Sequence, residues 1–204
     1  MPALTLEARP AAMPDPLGRI PVVVTGAEPE ALVEIRRPEV NLAVWTRDLP
    51  PGLDGRLRAL AEAAPFTALA EDLPEAAVDA LAAQLPHPAP LALLQDIRAL
   101  ATAFAAIART GGAVRIRLEG IDDEGCHRWH ADAVGLRLLC TYHGPGTEWL
   151  ALAGGARVAR GLDPKALPVA PGRLALSAAA ILKGEAYPGN AGFGCIHRSP
   201  PAAP

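Results

Sequence analysis

Aromatic residues are scarce in this 204-residue chain, with three Trp, two Tyr and three Phe making up 4%. Lysine is scarcer still: Lys165 and Lys183 are the two lysines among 19 basic residues. No basic cluster stands out and the net charge is −3, which argues against a nucleic-acid footprint. Three cysteines, Cys126, Cys140 and Cys195, are too few and too scattered for a disulfide scaffold. The first thirty residues lack a basic start followed by an apolar run, so no signal peptide is expected. The longest apolar stretch, Leu91–Ala108, is interrupted by Gln95, Asp96 and Arg98, and no membrane span is expected either. These absences together predict a soluble protein of a reducing compartment, the cytoplasm.

What is present is apolar residue. At 50% hydrophobic, the chain can build a core, which excludes intrinsic disorder. A chain of this length buries roughly 70% of its unfolded surface and is one domain by default. Residues 1–19 are proline-rich and read as an N-terminal arm; residues 20–204 read as a single α+β domain.

Within that domain two parts differ in period. Over 20–112 the text is mainly helical, after short β-like runs at 20–25 and 40–47 and a short helix at 28–37. Helices are expected at 53–64, 74–85 and 91–110. In the last of these Leu94, Ile97, Ala101, Phe104 and Ala108 recur at steps of three and four, and Gly111-Gly112 follows. From 113 the period becomes two: Val114, Ile116 and Leu118 alternate with Arg115, Arg117 and Glu119. Further strands are expected at 134–142, 147–152, 173–178, 180–183 and 193–197, separated by Gly/Pro turns. The expected architecture is therefore N-terminal helices packed on a C-terminal β-sandwich or jelly roll, 113–204 being the β-rich part that carries a metal site.

Four of the five histidines lie in that part. His130-Ala131-Asp132 puts two metal-competent side chains at i and i+2, which on a strand share one face. His197 lies at the end of another expected strand. Two imidazoles and one carboxylate form the facial triad that holds Fe(II) and leaves positions open. A rival grouping joins Cys126 and His130 to Cys195 and His197, two thiolates and two imidazoles suited to closed tetrahedral Zn²⁺. A third reading is a metal-free jelly-roll binding module in which the histidines only satisfy local hydrogen bonds.

Several blocks carry a resemblance. They are Val40-Asn41-Leu42-Ala43-Val44-Trp45, Cys126-His127-Arg128-Trp129-His130-Ala131-Asp132, Arg137-Leu138-Leu139-Cys140-Thr141-Tyr142, Gly144-Pro145-Gly146-Thr147-Glu148-Trp149-Leu150, Leu182-Lys183-Gly184-Glu185 with Gly189-Asn190, and His197-Arg198-Ser199-Pro200. Over roughly residues 38–200 the chain resembles a bacterial family catalogued as domain of unknown function 1826, distantly similar to jelly-roll 2-oxoglutarate/Fe(II) oxygenases. The resemblance implies that His130, Asp132 and His197 belong to signature blocks. The family's genes often neighbour zinc-homeostasis genes, which favours a metal and keeps a non-catalytic zinc-binding role open.

An oxygenase using 2-oxoglutarate needs a cationic anchor for the co-substrate's far carboxylate. The resemblance leads one to expect an Arg on a further strand about ten residues past the distal His, but the sequence given stops at Pro204. Arg198, Arg137 and Lys183 are then the available anchors. Glu148 could accept from a ligand imidazole or lie on the surface, and Tyr142 could line the pocket or pack in the core. The substrate, a small molecule or a protein, is left open. Without the further strand a sheet edge is left open, for the N-terminal strands or a second copy of the chain to cover.

Overall fold

A computed structural model of the chain describes residues 20–49, 53–121 and 126–201; the arm expected over 1–19 lies outside them. In chain order the elements are β1 (Val22–Gly26), a 3-10 helix (Pro29–Arg36), β2 (Val40–Trp45), α1 (Asp54–Glu62), β3 (Phe66–Asp72), α2 (Pro74–Ala82) and α3 (Leu91–Ala108). There follow β4 (Val114–Gly120), β5 (Leu136–Cys140), β6 (Glu148–Leu150), α4 (Gly155–Ala159), β7 (Gly172–Arg173), β8 (Ala179–Lys183) and β9 (Ile196–Arg198). The fold is mixed α and β, but the expected division into helices first and strands second does not hold. Three strands precede α3, and α4 sits inside the β-rich part.

Strands from both halves share the main sheet, whose order is β1-β2-β8-β5. β1 and β2 are parallel and joined by the 3-10 helix; β8 is antiparallel to both β2 and β5. The central strands β2 and β8 show no alternation of burial because both of their faces are covered. On one face Ala43, Ala179 and Ile181 pack against Leu32 and Ile35 of the 3-10 helix and Leu100 and Ile107 of α3. On the other, Leu42, Val44, Ala180 and Leu182 meet Leu174, Cys195 and Trp149, the last from a three-stranded sheet of order β7-β6-β9. Two sheets thus face each other across a core. Among the described residues they do not close into a barrel.

A separate hairpin-like pair, β3 and β4, covers α2 and the first half of α3. β3 had no expectation attached to it: its inward residues, Ala68 and Ala70, are small and have weak strand preference. Pairing with the strongly alternating β4 places it in a sheet. β7 is two residues long where six were expected.

α3 buries Leu93, Ile97, Leu100, Ala101 and Ile107, a stripe turned by about one position from the periodicity read in the sequence. The sequence offers apolar residues around most of this helix, so the neighbours chose the buried face. By length and composition alone α3 could cross a membrane. Of its charged residues, Asp96 is paired with Arg47 inside the fold and Arg98 with the exposed Asp79 at the surface. The helix ends at Ala108, and Arg109 takes the left-handed conformation, φ 54°, ahead of Gly111 and Gly112.

Candidate metal centre

β9 and the segment before β5 build the site. His130 pairs with His197 as an isolated antiparallel bridge, with His197 N donating to His130 O at 2.8 Å and His130 N to His197 O at 3.0 Å. This bridge extends the β7-β6-β9 sheet by one residue and brings the two rings to 4.4 Å between centroids. Asp132 is not on a strand, as the H-x-D spacing had implied, but in the loop that follows. Glu185 N donates to Asp132 O at 2.7 Å and so fixes the loop against the end of β8.

Gly184 permits that approach. A Cβ there would run into the Val134 carbonyl oxygen and lie 2.7 Å from Asp132 O. The Leu182-Lys183-Gly184-Glu185 block therefore serves Asp132 through its backbone, a role that residue chemistry alone did not show. Gly184→Ala is expected to displace the loop and lower metal affinity about tenfold, the scale of an outer-shell loss. Isothermal titration with Co²⁺ checks it; unchanged affinity would mean that the loop position does not matter.

His130 Nε2 lies 3.9 Å from Asp132 Oδ1, and His197 Nε2 lies 3.6 Å from Oδ2. One donor atom from each residue lies within 4.8 Å of the others. Both Nδ1 atoms are engaged elsewhere: that of His130 lies 2.9 Å from Arg128 O, and that of His197 3.0 Å from Cys195 O. A carbonyl only accepts, so each Nδ1 carries the proton and each Nε2 turns a lone pair inward. Burial pushes the His197 pKa below its ordinary value, outweighing the Cys195 carbonyl and Asp132, which favour the charged form. Asp132 Oδ2 is buried and accepts no hydrogen bond, although Arg137 Nε stands 3.0 Å away without hydrogen-bond alignment. Two Nε2 atoms and a carboxylate oxygen that accepts no hydrogen bond thus converge within 4.8 Å. That donor set fits a divalent cation, which His130, Asp132 and His197 could hold.

The thiols stand apart from this group. Cys126 is exposed, with Sγ 3.5 Å from Nδ1 of His130, the nitrogen turned away from the cluster. Cys195 packs in the core between the sheets, and burial raises its thiol to about 12, with Asp132 adding to the rise. Neither thiol belongs to the group of donor atoms that lie within 4.8 Å of one another.

Strand alternation sorts the remaining residues. On β6 and β9, Trp149 pairs with His197 and Glu148 with Arg198, so Glu148 and Arg198 face away from the metal ligands. Glu148, expected as a partner of a ligand imidazole or as a surface charge, is buried and bonded by Arg173 and by Arg198 at 2.8 Å. Burial alone would raise its carboxyl, but the two guanidinium hydrogen bonds outweigh burial and hold it below the usual carboxylate range. Arg198 also stacks over Trp129, 4.4 Å from the ring centroid, and is not placed to anchor a co-substrate. Lys183 points to the opposite face of the main sheet, where Nζ donates to Arg37 O at 2.6 Å above the Tyr187 ring. Tyr142 donates to Asp96 Oδ2 at 2.6 Å and touches none of the three ligands. Of the three cationic anchors only Arg137 reaches the site.

A family model described as "Protein of unknown function (DUF1826)" matches residues 26–204, and the chain belongs to that family. Neither the curated proteins nor the solved structures contain a match to it.

Proposed function

We propose that this member of the family binds one Fe(II) through His130, Asp132 and His197 and is a non-haem oxygenase of the 2-oxoglutarate type, acting on a substrate that the residues do not identify. The Asp132 carboxylate supports the metal reading: Oδ1 faces His130 Nε2, and Oδ2, buried and accepting no hydrogen bond, faces His197 Nε2. Three protein ligands on one side leave coordination positions open, the arrangement used by iron oxygenases of the facial-triad class. Iron, when bound, supplies the oxygen chemistry.

The chain's own residues orient and shield. Carbonyls of Arg128 and Cys195 fix both ring tautomers, as ligating imidazoles require. The core between the sheets covers His197, whose side chain is 5% exposed, while that of His130 is 32% exposed and marks the open side. Arg137 has 46% of its side chain exposed beside Asp132, within reach of an incoming carboxylate.

Metal analysis tests the reading. Untagged protein reconstituted anaerobically with Fe(II) or Zn²⁺ is expected to retain about one Fe(II) per chain, and His130→Ala to lose it. Succinate release dependent on oxygen and 2-oxoglutarate would establish the enzyme. One tightly held Zn²⁺ with no open position would favour zinc handling. A chain that retains neither metal would leave the histidines to the fold alone.

A further inference from the structure

The three ligands by themselves leave the substrate open; a groove beside them narrows it. Between α3, β4 and β5 runs an open apolar groove of about 330 Å³, within the roughly 300–1,000 Å³ of small-molecule sites. Ala101 and Phe104 of α3 lie on its floor. Ile116 and Leu118 of β4 and Leu136 and Leu138 of β5, all only partly buried, form its walls. Leu136 and Leu138 pack on the α3 side of the main sheet, so Arg137 between them points to the other side, where its Nε lies 3.0 Å from Asp132 Oδ2. Arg137 nevertheless lines the groove as well. β5 pairs only with β8, so among the described residues no strand stands at its outer edge to part the groove from the metal centre. The groove therefore ends at the metal centre, around the edge of β5.

We propose that this groove is the substrate site and takes an aliphatic chain, one end of which it brings to the metal centre. The delivery to a metal rests on the reading of His130, Asp132 and His197 given above; the binding of the chain does not. What the lining offers a ligand decides the class. Five lining residues carry polar side chains, and four of them are already engaged. Arg115 donates to Glu71 at 2.7 Å, Arg117 pairs with Glu119 at 2.6 Å, Tyr142 donates to Asp96 at 2.6 Å and Cys140 to Ser177 O at 3.5 Å. A polar group carried into the groove would lose water and find no side chain waiting for it, whereas an aliphatic chain loses nothing. The fifth, Arg137, stands at the metal end, where the carboxylate of a co-substrate would use it. The substrate's own share of the site is thus the apolar one.

Calorimetric titration of the full chain with straight-chain primary alcohols, from butanol to octanol, tests the assignment. Affinity is expected to rise about fourfold with each added methylene, the factor for one buried CH₂. Ala101→Leu, which fills the floor, and Leu118→Glu, which charges a wall, should each weaken octanol at least tenfold and leave Co²⁺ affinity unchanged. His130→Ala should lose Co²⁺ and keep octanol. In the Co²⁺-loaded protein the proton resonances of octanol should broaden in a gradient along the chain, strongest at one end. Should either groove variant unfold, the length series and the gradient in the wild type decide. Affinity independent of chain length, or equal in the wild type and both groove variants, overturns the proposal, and so does broadening without a gradient. A chain that holds Co²⁺ but takes no octanol overturns the groove alone. One that takes octanol with the expected length dependence but holds no Co²⁺ overturns the metal reading and the delivery to it.

Discussion

Asp132→Ala is expected to strip the protein of metal, lowering affinity by a factor of about 100 or more, while Cys126→Ala and Cys195→Ala leave it loaded. Loss of an outer-shell partner of a metal ligand already costs about 10–100-fold, and Asp132 contributes the only carboxylate in the cluster. The fold should survive the change. Its nearest partner, Arg137, has a side chain 46% exposed and can turn to water, so the lost ion pair is worth at most about 1 kcal/mol. Metal content and thermal unfolding, measured on the same samples, separate the two effects. Retained metal in Asp132→Ala together with loss in Cys126→Ala would replace the facial triad with a thiolate site.

The second large effect lies elsewhere. Asp96→Ala is expected to cost about 3–5 kcal/mol, because it removes one partner of a buried ion pair and leaves the other charge uncompensated. Asp96 on α3 receives two hydrogen bonds from Arg47, whose side chain is 10% exposed, and one from Tyr142. Arg47 also donates to Ser177 O at 2.9 Å, and Ser177 Oγ donates back to Arg47 O at 2.7 Å. Burial alone would lower the Arg47 pKa, but bonds to Asp96 and Cys140 outweigh it and keep the guanidinium charged. The cluster therefore ties the ends of β2 and β5 and the start of β8 to α3. At 2–4 °C per kcal/mol for a chain of this size, the melting temperature should fall by roughly 6–20 °C. Arg47→Met/Asp96→Leu should recover most of that, since an apolar pair leaves no buried charge. For comparison, the exposed Arg115–Glu71 pair should contribute under about 1 kcal/mol. A loss that small for Asp96→Ala would mean that water reaches the cluster.

Parts of this were legible in the sequence because they depend on near neighbours. α3 showed in its three- and four-residue steps and β4 in its strict alternation, since each pattern needs only one buried face. The residue types of the metal cluster were legible too, as His130, Asp132 and His197 are the chain's best-matched nitrogen and oxygen donors in one part. Their roles were harder to see. Lys183, Arg198, Glu148 and Tyr142 have the right chemistry for a site, yet β-strand alternation or a competing partner turns each away from it.

By itself the sequence determined the apolar content, the main helical and strand periods, and a donor set able to bind a cation. Only the tertiary structure decided that β1 and β2 would join β8 and β5 in one sheet, that His130 would pair with His197, and that Asp132 would reach them from a loop. The physical reason is range. Periodicity reports which face of an element is buried, whereas pairing across 67 residues depends on which edges and faces remain once every element has packed. At Gly184 that choice came down to the absence of one methyl group.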